Sequence, residues 1–371
     1  MRVVIGLFPD LLAPGGIQRA GRHVAAVLAG FARGRGTSYR FLSLNDPAGR
    51  HTIRVGEHDF VISGFRRSKL RFVAAALHAA RRRPSLVVAA HPNLAPVARA
   101  MRILSPGSRV LVLTHGIEVW TPLPRLRREA LRRADRVLAP SADTAAKVMA
   151  QQGVPKEKIV QVPWGLDPQF SPLEAWGTNH LPAGFPAGLV VLTVGRWAAS
   201  ERYKGVDHLI SATARLLPRI PDLYLVAVGE GDDRGRLERL ANDLGIAERV
   251  RFLNGLTQEQ LAASYERCAV FALPSRGEGF GMVFLEAMAH GKPVIGGAHG
   301  GTPDIIQENV TGRTVAHGDV GALAGALEEL LTDEPLRSRM GASARERVRS
   351  HYLFGHFSAR LERVLANLCP S

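Results

Sequence analysis

The feature that most constrains the fold of this chain is a regular alternation of short apolar runs with helix-length segments. The apolar, β-rich runs of the first half lie at about 2–8, 39–44, 58–63, 86–90, 109–114, 136–139 and 159–162. The segments between them that are long enough for helices lie at about 16–32, 67–82, 92–104, 123–134 and 141–152. Such alternation is typical of βα units, so we predict an α/β fold with a parallel, doubly wound sheet.

A second series of the same kind follows the Pro- and Gly-rich stretch 181–188. Its apolar runs lie near 189–195, 223–228, 250–254, 269–273 and 293–296. The chain has 371 residues, which is enough for two domains at the usual size of about 100–200 residues each. We therefore predict two Rossmann-like domains, at residues 1–170 and 188–351, joined near 165–188.

Cysteine content and the N-terminal sequence bear on where the protein resides. Cys268 and Cys369 lie far apart and lack the spacing of metal ligands, which argues against a disulfide framework and a zinc site. The first residues carry no basic leader followed by a cleavable apolar core, and no stretch approaches the length of a membrane span. We expect a cytoplasmic protein that is neither secreted nor integral to a membrane.

Charge is unevenly distributed along the chain, whose net charge is +15. Residues 1–180 hold 27 Lys and Arg against 11 Asp and Glu, a net +16, and residues 181–371 hold 21 against 22. The excess indicates an anionic partner for the first half, either membrane lipid or nucleic acid, and high arginine use in a GC-rich genome is the alternative explanation.

Two basic segments, Arg66–Arg83 and Arg125–Arg136, suit the surface of an anionic membrane, and the alternative is a solvated outer helix. Nucleic acid is not expected as a partner, because aromatic residues are sparse and no recognition module is present.

A glycine-rich loop bounded by a strand and a buried helix is predicted over residues 271–290. Its helix is apolar almost all round, which is typical of a buried helix. Glu278 and Glu286 lie eight residues apart here, and an interior carboxylate is costly without a polar partner. Glycines at 277, 279 and 281 leave backbone N–H groups open at a helix start, where an anion or a sugar hydroxyl binds favourably. A simple glycine turn with Glu286 paired to His290 is the alternative.

Other unusual residues follow predicted strands, at the edge where ligands bind in open α/β sheets. Gly15 and Gly16 open a helix, and His115 follows the strand 109–114. Arg196 and Lys204 flank one loop, where a guanidinium and an ammonium suit a diphosphate without a metal, although a pair of solvated surface charges is the alternative. Gly229-Glu-Gly231 begins like a dinucleotide fingerprint, but Arg234 replaces the third glycine, so we assign no NAD site.

The segment Glu278-Gly-Phe-Gly-Met-Val-Phe-Leu-Glu286-Ala resembles the E-x7-E signature of the family-4 retaining glycosyltransferases, which have the GT-B fold. Gly195-Arg196 and Lys204-Gly205 resemble the phosphate-binding pair of that family. The resemblance covers nearly the whole chain and is strongest from 189 to 313. It implies an N-terminal acceptor domain and a C-terminal nucleotide-sugar domain, two Rossmann-like domains facing across a cleft, with a C-terminal helix (352–371) that packs back on the first.

The resemblance also implies roles for individual residues. Arg196 and Lys204, with the Gly15–Gly16 loop, would face the diphosphate of the donor, and Glu286 would hold the ribose. Glu278 and His115 would contact the transferred sugar, so that the expected catalytic residues are Glu278, His115, Arg196 and Lys204. The remaining donor-binding positions are the loops at Gly229 and Gly255 near the nucleobase and the backbone at Gly279, Phe280, Gly281 and Met282 near the sugar.

The function implied is a retaining hexosyltransferase. It would move a sugar from GDP-mannose or a UDP-sugar to an acceptor hydroxyl, expected on a lipid-linked saccharide in bacterial polysaccharide or glycolipid assembly, at the inner face of the cell membrane. No aspartate pair is positioned beside the phosphates, so we expect no metal and no other cofactor. The alternatives are a GT-B sugar-nucleotide epimerase, a phosphorylase and a non-catalytic nucleotide-sugar-binding protein.

Overall fold

The computed structural model describes residues 3–167 and 180–370. These residues divide into two compact units. Unit 1 comprises residues 3–167 and 352–370, and unit 2 comprises residues 180–351. Most of the linker that we predict near 165–188 lies outside the described residues.

The described strands of unit 1 form one sheet with a buried centre. They are β1 (Val3–Phe8), β2 (Ser38–Ser43), β3 (Gly49–Val55), β4 (His58–Gly64), β5 (Leu86–Ala89), β6 (Arg109–Leu113), β7 (Arg136–Ala139) and β8 (Ile159–Gln161). Their spatial order is β3-β4-β2-β1-β5-β6-β7-β8, and every pair is parallel except β3 with β4. All six residues of β1 are buried, as expected for a central parallel strand covered on both faces.

Helices connect these strands. They are α1 (Gly16–Gly34), α2 (Lys69–Ala80), α3 (Ala95–Leu104), α4 (Arg125–Arg132) and α5 (Ala142–Gln152). Helices α2, α3 and α4 pack side by side. The core between helices and sheet is built from small and branched residues such as Ala76, Ala98 and Val112, all of which are fully buried.

Unit 2 holds a second sheet, which is parallel throughout its described strands. These are β9 (Leu189–Val194), β10 (Leu223–Val228), β11 (Val250–Leu253), β12 (Val270–Leu273), β13 (Val294–Gly297) and β14 (Gly312–Val315). The spatial order is β11-β10-β9-β12-β13-β14. The helices are α6 (Val206–Leu216), α7 (Arg234–Asp243), α8 (Gln258–Arg267), α9 (Met282–Ala289), α10 (Thr302–Ile305), α11 (Val320–Thr332) and α12 (Glu334–His351).

The last helix, α13 (Phe354–Leu368), belongs to unit 1 and packs against α1. The ring of His23 in α1 meets that of Phe354 edge to face, with centroids 5.3 Å apart. His23 Nε2 also lies 3.6 Å from Asp167 Oδ2. Burial is the main cause that lowers the pKa of His23, and the Asp167 carboxylate opposes it. The C-terminal helix is thus held against the first helix by the aromatic contact between His23 and Phe354.

The fold class predicted from the sequence is confirmed: both units are α/β and both sheets are mainly parallel. Two edge strands, β3 and β14, are not among the predicted strands. In β3 only Ile53 and Val55 are buried, and the middle of β14 is the polar pair Arg313-Thr314. Neither segment therefore carries the apolar run that indicates a buried strand. Within residues 3–167 and 180–370, no helix combines the length and the apolar character that crossing a bilayer requires.

Candidate functional site

Two neighbouring strands of unit 2 bring the predicted cations next to the predicted carboxylate. Strands β9 and β12 pair in parallel at the middle of the sheet, so their carboxyl ends lie at the same edge. The loop after β9 carries Arg196 and Lys204, and the loop after β12 carries Glu278. The backbone N–H of Arg276 donates to Tyr203 O at 2.7 Å and joins the two loops. The structure therefore gathers Arg196, Lys204 and Glu278 into one group.

A carboxylate absent from the sequence-based site lies between the two cations. Lys204 ends the 3-10 helix Ala199–Lys204, and its Nζ is 2.9 Å from Glu201 Oε2. The guanidinium of Arg196 contacts the other oxygen, Glu201 Oε1. Burial lowers the pKa of Lys204, while the negative charge of Glu278 opposes that shift. The short sequence Ser-Glu-Arg-Tyr-Lys reads as an ordinary charged surface segment, so nothing in it singled out Glu201.

Glu278 is held in a costly position. Part of the residue reaches the surface, but its Oε1 is enclosed and has no hydrogen-bond partner within the described ranges. Burial raises the pKa of Glu278, and Lys204 and a hydrogen bond with Ser275 act against that rise. An acceptor left unpaired inside a protein is destabilising, so such groups are rare and often have a function. This carboxylate is therefore suited to accept hydrogen bonds from a bound hydroxyl.

Two glycines of a neighbouring loop fix the backbone of Glu278. The N–H of Gly301 donates to Glu278 O at 2.7 Å. A Cβ at Gly300 would lie 2.6 Å from both Glu278 N and Glu278 O, and Gly300 has a φ of +68°. Only glycine allows the loops to approach this closely. Nothing in the sequence indicates a site role for Gly300 or Gly301, because the contact joins residues more than twenty positions apart.

The predicted amide positions lie at the start of α9. Gly281 precedes the helix with a φ of +98°, and Met282 is its first residue. A helix start directs backbone N–H groups outward, where they favour an anion or a hydroxyl oxygen. Phe280 is buried and anchors the loop. The backbones of Gly279 and Gly301 lie close together, since a Cβ added at Gly301 would be 2.6 Å from Gly279 O. Binding of the sugar by these groups remains a prediction.

Glu286 has a polar partner that the sequence did not reveal. It is buried in α9, and Tyr265 of α8 donates its hydroxyl to Glu286 Oε2 at 2.8 Å. His290, the alternative partner, has its Nδ1 3.7 Å from Glu266 Oε1 and stacks its ring on Tyr265. Burial lowers the pKa of His290, and the charges of Glu266 and Glu286 both oppose that shift. The role of Glu286 toward the ribose remains a prediction.

The glycines of the two predicted nucleobase loops have different surroundings. Gly229 has a φ of +142°, and a Cβ there would lie 1.7 Å from Gly195 O, so the loops after β9 and β10 meet at their backbones. Gly255 has a φ of +63° with no atom near its Cβ position. Backbone geometry alone explains glycine at both positions, and their role near the base remains a prediction.

In unit 1, His115 sits in an aromatic stack at the end of β6. Its ring lies 5.8 Å from that of His91 and 5.4 Å from that of Trp164, nearly parallel to both. Its Nε2 is 2.8 Å from Ala90 O, which leaves Nδ1 of a neutral ring as an acceptor, and this atom has no partner in the described chain. Burial and, to a smaller extent, electrostatic repulsion by His115 lower the pKa of His91 to about 4. His91 was missed because a single histidine before Pro92 carries no motif.

The glycine loop of unit 1 lies at the start of α1. Gly15 has a φ of +136° and precedes the helix, and both Gly15 and Gly16 are exposed. A Cβ at Gly15 would meet the side chain of Gln18, whereas Gly16 has open space around it. The loop exposes backbone without side chains, as its predicted role requires. Contact with donor phosphates remains a prediction.

No metal centre is visible in the part of the chain that the structure describes. Among residues 3–167 and 180–370, no three or more His, Cys, Asp and Glu side chains are arranged to hold an ion. The expectation that the protein works without a metal therefore rests on the cation pair and remains a prediction.

Comparison with known proteins identifies the family. Residues 187–347 match the family model "Glycosyl transferases group 1", and residues 18–170 match "Glycosyltransferase Family 4". A GDP-mannose-dependent alpha-(1-6)-phosphatidylinositol monomannoside mannosyltransferase of Mycolicibacterium smegmatis is 34% identical over 74% of this chain and 73% of its own length. The Mycobacterium tuberculosis protein of the same name is 36% identical over 72% of this chain and 71% of its own.

Solved structures share the fold at lower sequence identity. Sucrose-phosphate synthase from Thermosynechococcus elongatus is 24% identical, with a TM-score of 0.80 over 99% of each chain. Anabaena HepE, solved in complex with UDP-glucose, is 18% identical, with a TM-score of 0.77 over 99% of this chain and 100% of its own. The family models, the relatives and the fold agree, and the chain belongs to Glycosyltransferase Family 4 and is a glycosyltransferase with the GT-B type of fold.

Proposed function

We propose that the protein transfers a hexosyl group, mannose in the first instance, from a nucleotide diphosphate sugar to an acceptor hydroxyl, with retention and without a metal. GDP-mannose is the preferred donor because the mannosyltransferases to which the chain is similar are named as GDP-mannose-dependent. The named relatives are transferases, so they lend no support to an epimerase or to a non-catalytic binding protein.

The observation that carries the proposal is the grouping of Arg196 and Lys204 with Glu278 at one edge of the unit 2 sheet. When the sugar leaves, negative charge grows on the diphosphate, and fixed cations lower the energy of that transition state. Lys204 is only 15% exposed at its side chain, so its charge is screened less than that of a surface lysine. The neighbouring Glu278 would accept hydrogen bonds from hydroxyls of the sugar.

The test is a donor screen with a matched pair of variants. Purified protein is given GDP-mannose, UDP-glucose or ADP-glucose, with and without EDTA, and release of nucleoside diphosphate is measured. We expect release from GDP-mannose that EDTA does not reduce. Arg196→Gln and Lys204→Met should each lower kcat/KM by about 10²–10³-fold, the usual loss when one group stabilising an oxyanion is removed.

Arg219→Gln is the control for the arginine variant. Arg219 belongs to the same unit, and its guanidinium is 59% exposed and lies 2.9 Å from Glu328 Oε1. We expect this variant to retain the activity of the parent protein. Full activity of both Arg196→Gln and Lys204→Met, with activity lost only in EDTA, would contradict the proposed site.

We further propose that the acceptor is carried by a lipid, so that unit 1 works at an anionic membrane surface. The named acceptors of the relatives are phosphatidylinositol mannosides. The first turns of α2 and α4 expose leucines among basic residues: Leu70 is 87% exposed and Leu126 is 64% exposed. Exposed apolar residues flanked by arginines favour the headgroup region of anionic lipid.

Flotation with vesicles tests this part. We expect the protein to float with vesicles of phosphatidylcholine and phosphatidylglycerol at low salt, and to be released as salt rises. The double substitution Leu70→Ser and Leu126→Ser should reduce flotation, whereas Leu244→Ser should not. Leu244 is 42% exposed in unit 2 and serves as the matched apolar control. Equal flotation of the double variant and the parent, or none by either, would refute the membrane role.

A further inference from the structure

We propose that Glu201 is an internal competitor of the diphosphate: its carboxylate takes the position of a phosphate on Arg196 and Lys204, and it thereby weakens the binding of nucleoside diphosphate. This inference rests on the proposed function of the same two cations. It adds a residue that sets the affinity of the site.

The contacts of Glu201 are those expected of a bound anion. One carboxylate oxygen lies 2.9 Å from Lys204 Nζ, and the other contacts Arg196 Nη2. Each oxygen therefore serves one cation, which is how a phosphate would bridge them. The Glu201 side chain is 12% exposed and that of Lys204 is 15% exposed, so the pair is shielded from solvent and salt.

Glu201 lies at a kink between two 3-10 turns of the segment Ala199–Lys204, where its φ is −117° and its ψ is 23°. Its ion pair with Lys204 spans three residues of the chain. The segment is anchored independently of the Glu201 side chain. Ala199 N donates to Asp232 Oδ1 at 2.7 Å, and Arg202 Nε donates to Asp233 Oδ1 at 3.0 Å. The Glu201 side chain can therefore rotate away from the cations while the backbone stays in place.

Competition follows from charge and geometry. A diphosphate carries more negative charge than a carboxylate and offers more oxygens, so it displaces Glu201 when it binds. The apparent dissociation constant rises by the inverse of the fraction of time that the cations are uncovered. If Glu201 covers them about nine-tenths of the time, the affinity falls about tenfold. After transfer, the carboxylate returns to the cations and favours release of the nucleoside diphosphate.

Calorimetric titration of GDP, UDP, pyrophosphate and guanosine into the parent protein and Glu201→Gln tests the inference. We expect Glu201→Gln to bind the preferred nucleoside diphosphate, and pyrophosphate, about tenfold more tightly than the parent. Affinity for guanosine, which has no phosphate to compete with the carboxylate, should stay the same. In turnover with GDP-mannose, product inhibition by GDP should become stronger in the variant.

Glu248→Gln is the control for removing one negative charge from the same unit. The Glu248 side chain is 94% exposed, and its Oε2 lies 3.8 Å from Arg251 Nη2. We expect this variant to stay within about twofold of the parent, because an exposed charge is screened. Tightening by Glu248→Gln as large as that by Glu201→Gln would reduce the effect to general charge and overturn the inference.

The remaining outcomes separate the inference from the proposed function. If the parent binds GDP or UDP and Glu201→Gln binds it equally or more weakly, Glu201 is a structural ion pair and only the inference fails. If neither protein binds any of the phosphate ligands, both the inference and the proposed function fail. Binding by Glu201→Gln where the parent shows none would support both.

Discussion

Replacing Glu278 by glutamine should make the protein more stable and less active. The residue carries a carboxylate oxygen that is enclosed without a hydrogen-bond partner in the described chain, and its pKa is raised by burial. The glutamine side chain has the same shape and no charge to bury. Desolvation of a buried, incompletely paired group costs about 1–3 kcal/mol and more when the group is charged, so loss of the charge should raise the free energy of unfolding by about 1–3 kcal/mol at pH 8.

The effect has a definite dependence on pH. A carboxyl whose pKa is higher in the folded than in the unfolded protein stabilises the fold when it is protonated, and this stability is lost as pH rises through the folded-state pKa. As pH rises above 4.5, the usual Glu pKa, ionisation of Glu278 therefore lowers the stability of the parent protein, and Glu278→Gln is free of this contribution. The advantage of the variant should be largest at pH 8 and should shrink as pH falls toward 4.5.

Calorimetric melting at pH 8 and pH 5 measures this difference. For a unit of this size, each kcal/mol shifts Tm by roughly 2–4 °C, so a rise of about 2–12 °C is expected at pH 8. Transfer from GDP-mannose should fall by at least about 10²-fold, because a neutral amide oxygen replaces the ionised acceptor and binds a hydroxyl more weakly. Glu248→Gln, whose carboxylate side chain is 94% exposed, is the control and should leave Tm and activity unchanged.

The reasoning would be refuted by a variant that melts below the parent at pH 8. That result would mean that the attraction between Glu278 and Lys204 outweighs burial, since this attraction lowers the Glu278 pKa. A gain in Tm that is the same at pH 5 and pH 8 would also count against the argument, because it would have no connection with ionisation.

Two further predictions concern Lys204 and Gly229. Burial lowers the pKa of Lys204 below its usual 10.5, so on raising the pH the ammonium should deprotonate, and diphosphate affinity should fall, at a pH below 10.5. Lys204→Arg should remove this loss of affinity when both proteins are titrated with the same ligand, and parallel pH profiles of the two would contradict the assignment. Tyr203, whose pKa is raised to about 12, stays neutral in this range. Gly229→Ala places a Cβ 1.7 Å from Gly195 O and should lower the free energy of unfolding by about 3 kcal/mol or more. Gly255 has a φ of +63° and open space around its Cβ position, so Gly255→Ala should lower it by only about 1–2 kcal/mol. Equal decreases in Tm for the two variants would contradict this prediction, because they would show that the Gly229 loop relaxes freely.

The sequence predicted those strands whose own residues form an apolar run. Buried parallel strands such as β1 and β12 are continuous apolar runs, and their positions were found. Strand β3 was missed because it lies at a sheet edge and alternates exposed polar residues with only two buried ones. It pairs with β4 as a hairpin closed by the two-residue turn Gly56-Glu57, and a turn signal of this kind is not part of an apolar pattern.

The candidate site divides in the same way. Arg196, Lys204 and Glu278 were predicted because they resemble a known motif, and the structure brings them together. Glu201 and Tyr265 were not predicted, although each contacts a residue that was. Their importance depends on burial and on distances across the fold: Tyr265 is fully buried and meets Glu286 twenty-one residues further along the chain. Composition and spacing do not contain that information.

The strand order β11-β10-β9-β12-β13-β14 has a consequence for how the two walls of the site respond to mutation. The chain leaves β9 toward one edge of the sheet and leaves β12 toward the other, so right-handed crossovers place α6 and α9 on opposite faces. The loop with Arg196 and Lys204 consequently packs on one hydrophobic layer, which includes Leu209 and Ile210, while the Glu278 loop leads into the helix on the other layer. Loosening either layer would disturb one wall and spare the other. Donor affinity and sugar selectivity could then drift apart through changes in the core, with no substitution among the ligand-facing residues.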